Sequence, residues 1–202
     1  MIDYELKKIK EIFARLFVVA VHNKMNLYSF TTALEKSVVV NAIEKDEYTN
    51  FLDESIDTLF FSFTGIHFFD EGFGYYNDAY WCGVCYFELF YEIKKSFSYL
   101  FLKLPLEKML EMYKVYHEMD FSQLVEQFRI IEKETTILRL LCKSKGCTLK
   151  KISEKTMINI NTLVRYNSSD ELLYKGSFQN IMKLVKYFDV PINLFVEEIN
   201  NN

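Results

Sequence analysis

Six glycines and two prolines are spread over 202 residues, so this chain has few sites at which the backbone can turn sharply. Sandwiches, barrels and collagen-like folds need such residues at short, regular intervals. No segment shows sustained period-two alternation. By contrast, Ile2, Leu6, Ile9, Ile12, Phe13, Leu16, Phe17 and Ala20 recur at helical spacing. The expected fold class is all-α. Half of the residues are hydrophobic and 26% are charged, which excludes a chain kept disordered by low hydrophobicity.

The same reading places helices over 2–22, 27–43 and 47–63. A loop follows from Gly65 to Gly74, with three glycines in ten residues. One long apolar helix is expected over 77–102, ended by Pro105, and helices over 105–118 and 120–132 come next. The longest uncharged aromatic-rich runs, Leu59 to Phe69 and Ala79 to Phe87, fall short of the roughly 18 residues a membrane span requires. The start, Met1-Ile2-Asp3-Tyr4-Glu5, has no basic region ahead of an apolar block, so no signal peptide is expected. Four cysteines do not make a disulfide scaffold in a chain this large. A cytoplasmic location and no membrane partner follow as expectations.

Charge divides the chain near residue 130. Residues 1–130 carry 13 Lys and Arg against 20 Asp and Glu, and residues 131–202 carry 11 against 8. Glu44 to Glu92 holds eleven acids and one base, whereas Arg139 to Arg165 holds seven bases and one acid. Such asymmetry implies two tasks in one chain. The expected organisation is an acidic, aromatic-rich helical domain over 1–130, for oligomerisation, sensing or partner binding, and a second domain over 131–202.

Local signals sharpen beyond Lys133. Ile137, Leu138 and Leu141 mark a helix closed by Gly146, and Thr148 is a good N-cap for TLKKISEKT. Asn159 is the expected N-cap of INTLVRY, after a short turn at Met157-Ile158. SFQNIMKLVKYFDV places Phe178, Ile181, Leu184, Val185 and Phe188 at helical spacing, and Pro191 opens PINLFVEEI. The run from Ile137 to Phe195, carried by GCTLKKISEKTMININTLVRY and SFQNIMKLVKYFDVPINLF, resembles the Cro/phage-repressor-type (XRE-like) helix-turn-helix family. The resemblance implies a C-terminal five-helix, lambda-repressor-like helix-turn-helix domain behind the N-terminal helical domain. Two features depart from the family. Met157 stands where glycine is usual at the turn, and Asn167 to Gly176 is longer than the usual polar loop.

Carried over residue by residue, the resemblance makes Ile160, Asn161, Val164 and Arg165 the outward positions of a recognition helix, with Leu163 in the core. Asn161 suits adenine, Arg165 suits guanine, and Ile160 suits a thymine methyl group. Lys150 and Lys151 are placed for phosphates, as are Thr148 and Asn159 through side-chain or helix N-terminal donors. The implied function is a sequence-specific transcriptional regulator, acting as a homodimeric autorepressor on double-stranded DNA.

Other constellations are less suggestive. Cys82-x-x-Cys85 lacks a second ligand pair for zinc, and its flanks look like mid-helix core. His117-Glu118 with Asp120 has no accompanying nucleophile, so no enzymatic role, metal or cofactor is expected. The stretch 44–92 holds sixteen of the 34 aromatic residues. Most should form core, but Phe68, Phe69, Asp70, Glu71, Phe73, Tyr75 and Tyr76 set aromatics beside acids in an expected loop. That is the composition of a patch for a basic protein partner. It motivates an alternative reading, in which the acidic domain neutralises such a partner, as an antitoxin or inhibitor would, while the helix-turn-helix autoregulates the gene.

Overall fold

The structure is a computed structural model, and it describes residues 2–47, 51–68 and 77–195. The fold is all-α, with thirteen α-helices and no strand among the described residues. In chain order these are α1 (Ile2–His22), α2 (Leu27–Leu34), α3 (Val38–Glu44), α4 (Ile56–Thr64), α5 (Asn77–Ile93), α6 (Phe97–Lys103), α7 (Leu106–Tyr116), α8 (Phe121–Glu134), α9 (Ile137–Lys145), α10 (Leu149–Thr156), α11 (Ile160–Ser168), α12 (Asp170–Tyr174) and α13 (Phe178–Phe188). A 3-10 turn at Ile192–Phe195 follows. Among the described residues no helix is long and apolar enough to cross a membrane.

Helix α1 runs as its periodicity predicts and packs along α5. A β-carbon on Gly83 would lie 2.5 Å from the Ala14 α-carbon, so the two backbones approach more closely there than any side chain allows. Around this seam Phe13, Phe17, Phe30, Tyr86, Phe87, Phe97 and Phe101 form a continuous aromatic core. The Tyr86 hydroxyl is satisfied within it by donating to the Leu104 carbonyl at 2.6 Å.

Several expected helices break where a side chain offers the backbone an alternative partner. The segment expected as one helix over 27–43 is α2 and α3, because Ser37 caps α3 by accepting from the Val40 N–H. The helix expected over 77–102 is α5 and α6. Lys94 turns left-handed at φ 56° and Ser96 then caps α6 by accepting from the Tyr99 N–H. Glu44 adds a second cap there, accepting from the Phe97 N–H at 2.8 Å. Helix α4 starts at Ile56 rather than 47, capped by Ser55. Part of the segment expected as an extended polar loop, Asn167 to Gly176, is helical: α11 continues to Ser168 and α12 occupies Asp170–Tyr174 with Leu173 buried. Phe178, expected on the inner face of α13, is 72% exposed at that helix's first position.

The C-terminal helices rest on the rest of the chain through a polar hub. Lys103, at the end of α6, has a side chain with no solvent exposure. Its ammonium group donates to Asp170 Oδ2 at 2.7 Å, to the Glu132 carbonyl at 3.0 Å and to the Thr135 carbonyl. Asp170 Oδ1 accepts the first N–H of α9, from Ile137, at 2.7 Å. The Tyr99 hydroxyl donates to Glu132, and Asn193 donates to Glu44, each at 2.5 Å.

Candidate nucleic-acid interface

Helices α10 and α11 are joined by a three-residue turn that local hydrogen bonds hold tightly. Thr148, extended at φ −104° and ψ 157°, accepts the Lys151 N–H on Oγ1 and so starts α10. At its end Met157 takes the left-handed conformation, φ 57°, and donates its N–H to the Ser153 carbonyl at 2.8 Å. Glycine adopts this conformation without strain, whereas methionine does so at a cost. The turn around it compensates. Ser153 Oγ donates to the Ile158 carbonyl at 2.6 Å, and Thr156 Oγ1 accepts the Ile158 N–H while donating to the Ile152 carbonyl. Asn159 then starts α11 by accepting the Asn161 N–H at 2.8 Å.

Burial separates the faces of both helices. Ile152, Ile158, Leu163 and Tyr166 are buried, while Lys150, Lys151, Asn159, Ile160, Asn161, Val164 and Arg165 are exposed, as is Thr148. The expected contact residues are therefore all accessible, and Lys155 at the end of α10 adds a further exposed cation. Lys155 lies within the basic run noted in the sequence, and only the helix register distinguishes it from a residue facing inward. The outward positions Val164 and Ile160 are 51% and 40% exposed, and Met157 in the turn is 81% exposed.

Helices α10 and α11 carry four cations and one acid, Glu154. Among the described residues no carboxylate lies within ion-pairing distance of Lys150, Lys151, Lys155 or Arg165. Lys8, Lys10, Lys36, Lys103 and Lys175 each hold one, but other cations such as Lys108, Lys114 and Lys183 are likewise without one among the described residues. Among the described residues, the two capping side chains also keep donors free. Thr148 uses its oxygen as acceptor and retains its O–H, and Asn159 uses Oδ1 and retains its amide NH2.

Elsewhere the candidate residues have structural partners. Phe68, expected in a partner-binding patch, is buried edge-to-face against Phe60, because its N–H is captured by Asp57 and the ring turns into the core. Phe69, Asp70, Glu71, Phe73, Tyr75 and Tyr76 lie outside the described residues. Cys82 and Cys85 are buried within α5, where desolvation drives both thiols well above their ordinary range. His117 stacks on Tyr113 and meets the Tyr113 carbonyl at 2.7 Å, and Asp120 caps α8 by accepting from the Ser122 N–H. No group of three potential metal ligands occurs among the described residues.

Comparison with models of protein families, with curated proteins and with solved structures returns no match.

Proposed function

We propose that the chain is a sequence-specific DNA-binding regulator, a cytoplasmic homodimeric autorepressor that docks α11 in the major groove. The observation that carries this reading is the pair of capped helices α10 and α11, joined by a three-residue turn, with four exposed cations and one acid. A polyanion supplies the missing counter-charge, and displacement of its condensed cations drives association. Lys150, Lys151 and the free donors of Thr148 and Asn159 act on phosphates and set the register of docking. Asn161 and Arg165 read base edges, while Ile160 and Val164 favour thymine methyl groups. One such module buries too little surface for tight specific binding, so two protomers engage half-sites about 34 Å apart.

The test is binding to DNA from upstream of the chain's own gene, against scrambled DNA of equal length, over a salt series. Site preference should appear, with log affinity falling linearly against log salt. Reversing Lys150 and Lys151 to Glu should abolish site binding and reduce the salt slope by about two. Weak binding that ignores sequence, or a double variant with undiminished affinity, would exclude this surface as the reader of an operator.

A further inference from the structure

All four cysteines are free thiols, but only two of them are accessible. Cys142 and Cys147 are partly exposed and stand on either side of the left-handed cap that ends α9. Gly146 adopts φ 58° and ψ 42°, and its N–H donates to the Lys143 carbonyl at 3.3 Å. The Cys147 N–H donates to the Cys142 carbonyl at 3.0 Å. This pair of bonds is the Schellman arrangement, in which the residue three before the cap's end and the second residue beyond it bring their side chains together. In most proteins that contact is between apolar side chains. Here both positions are cysteine.

Covalent geometry bounds how far apart the two residues can be. With a 3.0 Å bond from one backbone to the other, the α-carbons are separated by at most roughly 7 Å, the sum of that bond and the Cα–O and N–Cα spans. Disulfide-linked α-carbons lie about 4.4–6.8 Å apart. The cap thus sets the Cys142 and Cys147 side chains beside each other at the end of α9. Burial, followed by the neighbouring Cys147, pushes the Cys142 thiol up to about 12. Burial disfavours the Cys142 thiolate, so Cys147 makes the first attack.

We propose that Cys142 and Cys147 form a reversible dithiol–disulfide couple, oxidised by small-molecule disulfides of the glutathione class. Cys147, having released its proton to solvent, attacks one sulfur of the oxidant. The new bond forms as the oxidant's S–S bond breaks, and the departing thiolate takes up a proton. Cys142 then gives up its proton and attacks the Cys147 sulfur, expelling the second small thiolate, which is protonated in turn. The two protein thiols lose two electrons, and one small disulfide becomes two small thiols. The second step joins two residues that the Cys147–Cys142 backbone bond already holds together. The cap holds the same backbone course before oxidation, so the bond closes without unwinding α9 or displacing Thr148. The couple stands independently of the DNA-binding reading.

The experiment is titration of the reduced full-length chain with oxidised glutathione, read by intact mass and by mapping of alkylated peptides. The expected product has lost the mass of two hydrogen atoms, carries a link between Cys142 and Cys147, and retains Cys82 and Cys85 as thiols. Cys142→Ser should stop at a single glutathione adduct on Cys147, and a reducing thiol should reverse both products. Circular dichroism should show the same helix content in each form. A wild-type chain that keeps stable glutathione adducts, stays fully reduced where an exposed model dithiol oxidises, or links chain to chain would overturn the proposal.

Discussion

Glu35 closes α2, its N–H donating to the Thr31 carbonyl at 2.9 Å, and its carboxyl group is drawn inward rather than left in water. Desolvation raises its pKa from the ordinary 4.5 to about 7, against smaller opposing pulls from the neighbouring Ser98 hydroxyl and then Lys36. Glu44 and Asp189, which also face this site, add like charge and push in the same direction as burial. The folded chain therefore holds this proton more tightly than the unfolded chain does. Stability associated with Glu35 is complete below pH 4.5 and is lost as pH rises through about 7. Glu35→Gln imitates the protonated form at every pH. It should match the parent in urea unfolding at pH 4 and exceed it at pH 8 by on the order of 2 kcal/mol. An equal pH slope for parent and variant would show that Glu35 does not titrate in this window.

At the scale of elements, the contact between α1 and α5 depends on Gly83. Glycine inside a helix is ordinarily unfavourable by about 1 kcal/mol relative to alanine. Here a β-carbon would meet the Ala14 α-carbon at 2.5 Å and the Phe17 ring at 3.0 Å, and backbone has little freedom to yield. Gly83→Ala should accordingly destabilise the fold by roughly 1–3 kcal/mol despite its better helix propensity, as measured by denaturant midpoint. A neutral or stabilising result would mean that α5 can slide along α1. Nothing in the sequence around Gly83 announces this role, since a helical glycine and a close approach look alike in one dimension. Helix α1 was legible because its apolar stripe repeats over 21 residues. The breaks at Ser37 and Lys94 were not, because they come from a serine cap and a left-handed lysine inside apolar runs rather than from glycine or proline. The caps of the candidate interface were legible for the opposite reason. Thr148 and Asn159 bond to N–H groups three and two residues away, an interaction that sequence spacing specifies directly. Lys103 and Asp170 are 67 residues apart and carry no local signature.

Across the whole molecule, one set of buried side chains runs without interruption from Ile9 in α1 to Phe195 after α13. The charge asymmetry that divides the sequence near residue 130 thus coexists with a shared apolar interior. The Lys103 hub lies on that shared boundary, tying α6 to the end of α8, to the start of α9 and to α12. A buried cation with three acceptors is stabilising only while every partner is present. Lys103→Met leaves Asp170 charged without its counter-ion and removes the donor from two carbonyls, a loss expected to destabilise by about 3–5 kcal/mol. Lys103→Met with Asp170→Asn should recover part of that loss, because the second change removes the uncompensated charge. The position of Trp81 in α5 makes the reach of the effect measurable. Its fluorescence reports on the N-terminal helices, far along the chain from Asp170, whereas circular dichroism reports on all thirteen. If the interior unfolds as a unit, the two probes give one midpoint in the parent, and Lys103→Met lowers both equally. An early dichroism phase in the variant with an unchanged Trp81 midpoint would instead show that α9 to α13 melt alone, and that the boundary carries no cooperativity.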